Sequence, residues 1–190
     1  LELLIAPSFD SDALKVLEEK QNIRVIEMDG CEKHTNDYSI QTIDGGFLIQ
    51  EGDEKTIDRQ DIDIVTLRQP EDAEIKDMLF AWKVVKYVKS NAIVFARQQQ
   101  TIGIGAGQMS RVMSAKIASL KAASANLHTK NCVMASDGFF PFKDSIEMAA
   151  DYGISCVIQP GGSIRDDEVI AAADEHNLVM GFTGIRHFKH

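Results

Sequence analysis

Short apolar runs alternate with amphipathic segments along most of the 190 residues. The apolar runs have the length of strands, whereas the amphipathic segments repeat at helical spacing, and this pattern predicts an α/β fold. In the last third, predicted strands at 133–135, 156–158 and 179–182 alternate with helices at 144–152 and 166–176. Strands separated by helices pair in parallel through right-handed crossovers. We therefore predict an α/β fold with three layers.

The first two thirds add further elements of both kinds. Strands are predicted at 1–6, 23–28 and 62–68, with a helix from residue 10 or 11 to about 20. A hairpin is predicted from strand 46–50, with its turn at 51–53 and a return past residue 56. The pattern also predicts a helix over 72–89, paired strands at 92–96 and 101–105, and a helix over 110–125 whose apolar face is Met113, Ile117 and Leu120. The hairpin makes the sheet mixed.

Charge and cysteine usage narrow the class of protein. The net charge is −9, and no Lys/Arg run is interleaved with aromatic residues, so the sequence predicts no nucleic-acid partner. The apolar runs are too short to span a membrane. Cys31, Cys132 and Cys156 have no metal-type spacing, and three reduced thiols are typical of a cytoplasmic protein. The chain begins without Met inside a strand-like run, and we interpret it as a portion of a longer protein.

A glycine-rich segment, 103–108, lies between a predicted strand and a predicted helix. Its third glycine comes one residue too early for the dinucleotide fingerprint, and no Asp or Glu occurs between Gln108 and Ser136. Two other interpretations remain open. The glycines either allow close backbone packing at a tight turn or form a floor that lets a flat ligand approach the backbone.

Three segments follow the predicted parallel strands, at the sheet edge where ligands bind in α/β proteins. Residues 136–144 combine aromatic side chains with two aspartates, which suit a planar heterocycle, although Asp144 is equally suited to capping a helix. Residues 159–166 are glycine-rich and open a helix, which suits either an anion or a cap formed by Ser163 and Asp166. Arg186 is suited to clamping a phosphate, and the alternative is a solvated basic tail. No histidine lies in a metal-binding motif.

Several of these segments together resemble one enzyme family. Trp82 to Val94, Ile102 to Arg111, Ser136 to Asp144, Gln159 to Asp166 and the closing residues 186–190 resemble, in order, the C-terminal part of the AICAR transformylase domain of the bifunctional purine-biosynthesis enzyme. The resemblance is strongest from Lys89 onward and less distinctive before residue 68. It implies that residues 1–70 are a lead-in or the remainder of a preceding lobe, that 71–190 form the C-terminal lobe, and that the cyclohydrolase domain lies outside this chain.

The resemblance also implies a fold, an activity and an assembly. The fold is cytidine-deaminase-like without zinc, in an intertwined homodimer with sites at the subunit interface. The activity is formyl transfer from 10-formyltetrahydrofolate, as co-substrate, to the 5-amino group of AICAR, giving FAICAR for IMP synthesis. A monovalent cation is allowed near Asp137 and His190.

The family's functional residues can be placed on matching positions of this sequence. The resemblance implies that Asn91 orients the reacting amine and formyl groups, with Asp137 in a supporting catalytic position. Arg186 binds the AICAR phosphate. The remaining implied positions contact the folate or support its contacts, and they are Phe139, Asp144, Val112, Gln108 and Arg111.

One element of the family pattern is missing. The general base and electrophile of the family are an adjacent Lys-His followed by a Ser/Asn-Pro-x-Gly turn, whereas Lys33-His34-Thr35 here is followed by Asn36-Asp37-Tyr38. We predict that this segment is a surface loop and that the chain alone is nearly inactive. The alternative is a free-standing module that binds folate and nucleotide without catalysis, and a dinucleotide oxidoreductase is a third hypothesis.

Overall fold

A computed structural model describes residues 2–29 and 38–189. The chain divides into two compact units, Leu1–Asp53 and Glu54–His190. Among the described helices, none is both long and apolar enough to cross a membrane.

The first unit contains two separate pairs of strands. Strands β1 (Leu3–Ala6) and β2 (Arg24–Glu27) are parallel and are joined through helix α1 (Ser11–Glu18). Strands β3 (Tyr38–Ile43) and β4 (Gly46–Glu51) form an antiparallel hairpin. No residue in the described part of this unit is buried.

The hairpin differs from the predicted one. Its turn is at Asp44 and Gly45, not at 51–53, and β4 is its second strand rather than its first. Gly45 has a φ of 77°. An Asp-Gly pair favours a two-residue turn because glycine adopts positive φ without steric cost. The predicted turn at 51–53 is therefore wrong, although the sequence contained the correct local signal.

The second unit is built on a six-stranded sheet. Its strands are β5 (Asp63–Ile64), β6 (Ile93–Arg97), β7 (Gln100–Gly105), β8 (Val133–Ser136), β9 (Cys156–Gln159) and β10 (Val179–Phe182). Their order is β5-β10-β9-β8-β6-β7. The pairs β8–β9 and β9–β10 are parallel, whereas β5 and β6 are antiparallel to their neighbours. The predicted mixed sheet is confirmed, but β5 and β6 make it mixed, whereas the β3–β4 hairpin, which was predicted to do so, forms a separate sheet.

Helices cover both faces of this sheet. Helix α2 (Asp72–Val85) packs on one face, where its buried side chains, Trp82 among them, meet Val94, Ala135 and Ile158. Helices α3 (Arg111–Ser124), α4 (Asp144–Asp151) and α5 (Asp166–Glu175) cover the other face. The predicted three-layer α/β architecture is therefore confirmed.

The face that α3 turns toward the sheet is not the predicted one. Met113 and Leu120 are 46% and 66% exposed, and Ile117 is half-buried. The buried positions are small residues: Ser114, Ala115, Ala118 and Ala122. They allow the helix backbone to lie directly against β7, where a Cβ on Gly103 or Gly105 would overlap the helix carbonyls. Close packing of backbones, not apolar bulk, selects this face.

Two other elements are shorter than predicted. Helix α2 ends at Val85 rather than at residue 89, because Tyr87 and Val88 donate backbone hydrogen bonds only three residues back, a tighter turn that closes the helix. Strand β5 pairs only at residues 63–64 of the predicted 62–68. Beyond it, the hydroxyl of Thr66 replaces a ladder carbonyl and accepts from the Met180 N–H at 2.9 Å.

Burial affects the two described cysteines strongly. It raises the pKa of the Cys156 thiol to about 12 and that of Cys132 to about 11. Because a raised pKa means that the folded state holds the proton more tightly, this contribution to stability is complete below the ordinary value of 9.0 and is lost as the pH rises toward 11–12.

We therefore expect the free energy of unfolding to fall above pH 9, and Cys156→Val to make that decline shallower. Urea denaturation followed at pH 7 to 10.5 measures both slopes. The same decline in parent and variant would contradict this origin.

A thiol reagent at pH 8 should modify Cys132 and Cys156 only after unfolding.

Candidate functional site

One edge of the six-stranded sheet gathers most of the candidate residues. The parallel strands β8, β9 and β10 end there, and β7 points the same way because both it and β8 are antiparallel to β6. The antiparallel β6 begins at this edge. We call it the carboxyl edge, formed by residues 89–92, 106–112, 137–144, 160–165 and 183–188. The fold thus brings together segments up to about a hundred residues apart in the sequence.

Asp137 is the centre of a buried polar cluster at this edge. Its side chain is completely buried, and it accepts hydrogen bonds from the Ser90 hydroxyl and from Arg111 Nη2, the latter at 3.1 Å. Arg111 Nε also donates to Ser136 Oγ at 3.1 Å. The Arg111 side chain is 17% exposed, so this ion pair is largely shielded from water. The cluster links α3, β8 and the start of β6.

Gly138 makes room for this arrangement. A Cβ at residue 138 would overlap the Arg111 guanidinium and would lie 3.3 Å from the Phe188 ring. The glycine after Asp137 therefore lets the arginine reach the carboxylate. The need for glycine here follows from a contact with α3, so the local sequence alone does not indicate it.

The C-terminal segment is docked onto the same cluster rather than forming a solvated tail. The His187 N–H donates to the Asp137 carbonyl at 3.0 Å, and the Ser90 N–H donates to the Lys189 carbonyl at 2.8 Å. The His187 side chain is 1% exposed and its ring lies 4.8 Å from that of Trp82. The alternative of a solvated tail is therefore wrong for the backbone of this segment.

An aromatic ring, a cation and a glycine meet beside the cluster. The guanidinium carbon of Arg186 lies 4.8 Å from the centroid of the Phe139 ring, which is a cation–π geometry. A Cβ on Gly162 would lie 3.9 Å from Arg186 Nη2. Arg186 is exposed and Phe139 is half-buried, so both present surface to solvent at the carboxyl edge. This combination suits a flat ring carrying an anionic group.

Asn91 is held from two sides. Its Nδ2 donates to the Gln108 carbonyl at 2.8 Å, and its own carbonyl accepts from Ser114 Oγ at 2.7 Å. The side chain is half-buried. The backbone of Gln108 thus orients the Asn91 amide, whereas the Gln108 side chain turns back to the Ala106 carbonyl at 3.0 Å.

Asp144 and Val112 lie at the starts of helices. Asp144 is exposed as the first residue of α4, and its Oδ1 accepts from the Ser145 N–H at 2.8 Å. It does not occupy the N-cap position, which is Lys143. Val112 is half-buried in the first turn of α3, next to Arg111. The carboxylate of Asp144 therefore keeps surface exposed to solvent.

The cap predicted for α5 is wrong. Its N-cap residue is Arg165, not Ser163, and the Ser163 hydroxyl accepts from the Arg165 N–H two residues on. Gly161 and Gly162 have φ values of 71° and 90°, and this turn carries the chain back so that Asp166 Oδ2 accepts from the Gly162 N–H at 2.7 Å. That N–H is consequently already used within the protein.

Within residues 2–29 and 38–189 no group of three or more His, Cys, Asp and Glu side chains could hold a metal ion. The Asp137 carboxylate already faces the Arg111 guanidinium, which is a poor fit for a bound monovalent cation. His190 and the segment with His34 lie outside the described residues, so their predicted roles stay predictions.

Three polar residues near this edge were not singled out from the sequence, and of these Ser114 and Gln159 are buried and Ser90 is half-buried. Ser90 and Ser114 hold Asp137 and Asn91, and Gln159, completely buried at the end of β9, accepts from the Phe140 N–H at 2.9 Å. A glutamine that ends an otherwise apolar strand was the one available signal, because a buried amide requires partners.

Comparison with known families matches the first part of the chain, which ends before Asp137, Phe139, Asp144 and Arg186. Residues 1–121 match the family model described as AICARFT/IMPCHase bienzyme. The match covers most of the chain, including the segment before residue 68 where the motifs are less distinctive, together with Asn91, Gln108, Arg111 and Val112 of the carboxyl edge. Members of this family combine transformylase and cyclohydrolase activities in purine biosynthesis. The chain therefore belongs to the AICARFT/IMPCHase bienzyme family.

Proposed function

We propose that this chain supplies the folate and phosphate contacts for formyl transfer from 10-formyltetrahydrofolate to the 5-amino group of AICAR, giving FAICAR. The observation that carries the proposal is the stack of Arg186 on Phe139 beside Gly162. A guanidinium binds a phosphate through two parallel hydrogen bonds, while an aromatic ring supports a heterocycle. AICAR carries a phosphate, and the pterin of the folate supplies a ring.

The other residues of the carboxyl edge fit supporting roles. The exposed carboxylate of Asp144 is an acceptor for ring N–H groups of the pterin, and Val112 offers an apolar side. Asn91 orients the amine and the formyl carbonyl, since its amide has both a donor and an acceptor. Asp137, Arg111 and the Gln108 backbone hold this arrangement in place.

The reaction also needs a general base. The amine nitrogen attacks the formyl carbon, the bond from that carbon to N10 of the folate breaks, and one proton passes from the amine to N10. The amine is a weak nucleophile because its lone pair delocalises into the ring, so proton removal and stabilisation of the tetrahedral oxyanion are both required. We propose that a Lys-His pair outside these 190 residues supplies them.

The test is a formylation assay on three samples: this chain alone, a polypeptide carrying the family's Lys-His-x-Ser/Asn-Pro-x-Gly motif, and their mixture. Formylation of AICAR only in the mixture is the expected result. Activity of this chain alone would overturn the placement of the base. Ligand binding without activity in any sample would instead favour the non-catalytic binding module.

Arg186→Ala tests the phosphate contact separately. We expect the dissociation constant of AICAR to rise roughly 10- to 100-fold, because hydrogen bonds to a charged group are lost. Arg97→Ala is the control, since Arg97 ends β6 at the opposite edge of the sheet, where its Nη1 donates to the Lys130 carbonyl at 2.7 Å. Isothermal titration calorimetry measures both variants. Equal weakening by the two substitutions would contradict the assignment.

We also propose that the chain forms a homodimer through exposed apolar side chains near the site. Met109 and Ile164 are fully exposed beside this edge, and Met113 is 46% exposed on the outer side of α3. Exposed apolar groups of this size are typical of interaction surfaces. Light scattering of the parent and of Met113→Lys measures the mass, and an unchanged monomer in both would overturn the proposal.

A further inference from the structure

Gln159 is a polar residue in an unusual position. It ends β9, in which Cys156, Val157 and Ile158 are also completely buried, and its own side chain is 0% exposed. Burying an amide without hydrogen bonds is costly, so its partners explain its presence. The two partners are the Phe140 N–H, which donates to Oε1 at 2.9 Å, and Met180 Sδ, which lies 3.3 Å from Nε2.

The bond to Phe140 acts on a segment that has no sheet partner. Residues 137–143 connect β8 to α4 as a loop, and the Phe140 side chain is 1% exposed in the core. A buried backbone N–H in a loop needs an acceptor, which the Gln159 side chain provides. The bond therefore fixes the loop at Phe140.

Fixing Phe140 also determines where its neighbour lies. Phe140 is turned into the core, whereas Phe139 is half-buried and carries the Arg186 guanidinium on its ring. The loop that follows β9 is closely packed as well, since a Cβ on Gly161 would lie 2.9 Å or less from atoms of the Phe182 ring. A shift of the backbone at Phe140 would displace the Phe139 ring relative to Arg186.

From these contacts we infer that Gln159 is a positioning residue for ligand binding at the carboxyl edge. It acts through the Phe140 backbone and holds the Phe139 ring where a heterocycle stacks, without touching the ligand itself. The inference rests on the proposed function for the identity of that ligand, the folate. Met180 completes the arrangement because its sulfur keeps the Gln159 amide from rotating away from Phe140.

Gln159→Met tests the inference, because methionine has a similar shape and no strong acceptor. We expect the dissociation constant of 5-formyltetrahydrofolate, a stable folate probe, to rise roughly tenfold in calorimetry, since a displaced binding group loses most of its contact. Hydrogen exchange at the Phe140 amide should accelerate by a similar factor. Met180→Leu is a milder second variant that keeps the core filled and should shift both quantities in the same direction.

Asp77→Ala is the matched control. It removes another buried side-chain acceptor from backbone N–H groups, those of Gln98 and Gln99 at 2.8 and 2.7 Å, in the turn between β6 and β7 at the opposite edge of the sheet. It should lower the melting temperature and leave folate affinity unchanged. Equal weakening of folate binding by Asp77→Ala and Gln159→Met would reduce Gln159 to a structural residue and overturn the inference.

The two proposals fail in different ways. No folate binding by the parent chain would count against the proposed function, and exchange at Phe140 would then decide the role of Gln159 by itself. Binding by the parent with unchanged affinity and unchanged exchange in Gln159→Met would overturn only the positioning role.

Discussion

Gly105→Ala is expected to lower the free energy of unfolding by about 3 kcal/mol, near the upper end of the cost of overpacking a core. A Cβ at residue 105 would overlap the Ser114 carbonyl and would lie 2.8 Å from the Ser114 Cα. The obstacle is the backbone of a helix rather than a flexible side chain, so β7 and α3 would have to separate. Separation would also disturb Asn91, whose carbonyl accepts from Ser114 Oγ.

Chemical denaturation with circular dichroism measures this change. Gly46→Ala is the control, because a Cβ there meets nothing within 4 Å and the residue lies in the other unit. Its expected effect is small. A Gly105→Ala variant as stable as Gly46→Ala would show that the packing of α3 on β7 can relax, contrary to the structure.

Asp137→Ala is expected to destabilise the protein by about 3–5 kcal/mol, because removing one partner leaves the other charge buried and uncompensated. The charge left behind is the Arg111 guanidinium, and the Ser90 hydroxyl loses its acceptor as well. Asp137→Asn keeps the shape and one acceptor, so its effect should be smaller. Because the cluster holds β6, β8 and α3 together, ligand affinity should fall in both variants.

Thermal denaturation measures the loss of stability in these variants, and an exposed ion pair serves as the control. Lys143 Nζ lies 2.9 Å from Glu147 Oε1, but both side chains are about half exposed. Such exposed ion pairs contribute little to stability. Glu147→Gln should therefore change stability only slightly. A comparable loss in Glu147→Gln and Asp137→Ala would contradict the special role of the buried cluster.

Periodicity predicted much of the fold, and its failures have two kinds of cause. The turn of the β3–β4 hairpin was missed although Asp44-Gly45 is a local signal, so that error lies in the interpretation. The packing face of α3 could not be predicted in the same way. The larger side chains of α3 predicted one packing face. Gly103 and Gly105 on the neighbouring strand instead favour the face of the helix that carries small residues.

The glycine-rich segment 103–108 illustrates the same limit. Its spacing does not match the dinucleotide fingerprint, and two other interpretations were open. The structure favours close backbone packing for Gly103 and Gly105, though against a helix rather than within a turn. Which interpretation is correct depended on the packing of α3, which the sequence of the segment itself does not indicate.

For the site, the strand–helix alternation predicted that residues 137–144, 160–165 and Arg186 lie at one sheet edge. The alternation did not predict which side chains contact each other. Arg111 and Asp137 are 26 residues apart, Gln159 and Phe140 are 19 apart, and the Ser90 N–H donates to Lys189 near the end of the chain. Such pairs form only when the sheet has assembled.

The sequence by itself thus determined the three-layer α/β class, the order of most elements and three of the segments at the carboxyl edge, those that follow β8, β9 and β10. These properties follow from hydrophobic periodicity and from the loops after the strands, which are local or nearest-neighbour features. The tertiary structure alone decided the face of α3, the burial of the Arg111–Asp137 pair and the anchoring of Phe140 by Gln159. Those outcomes depend on which backbones approach closely and which buried polar groups find partners, and both are set by contacts between distant parts of the chain.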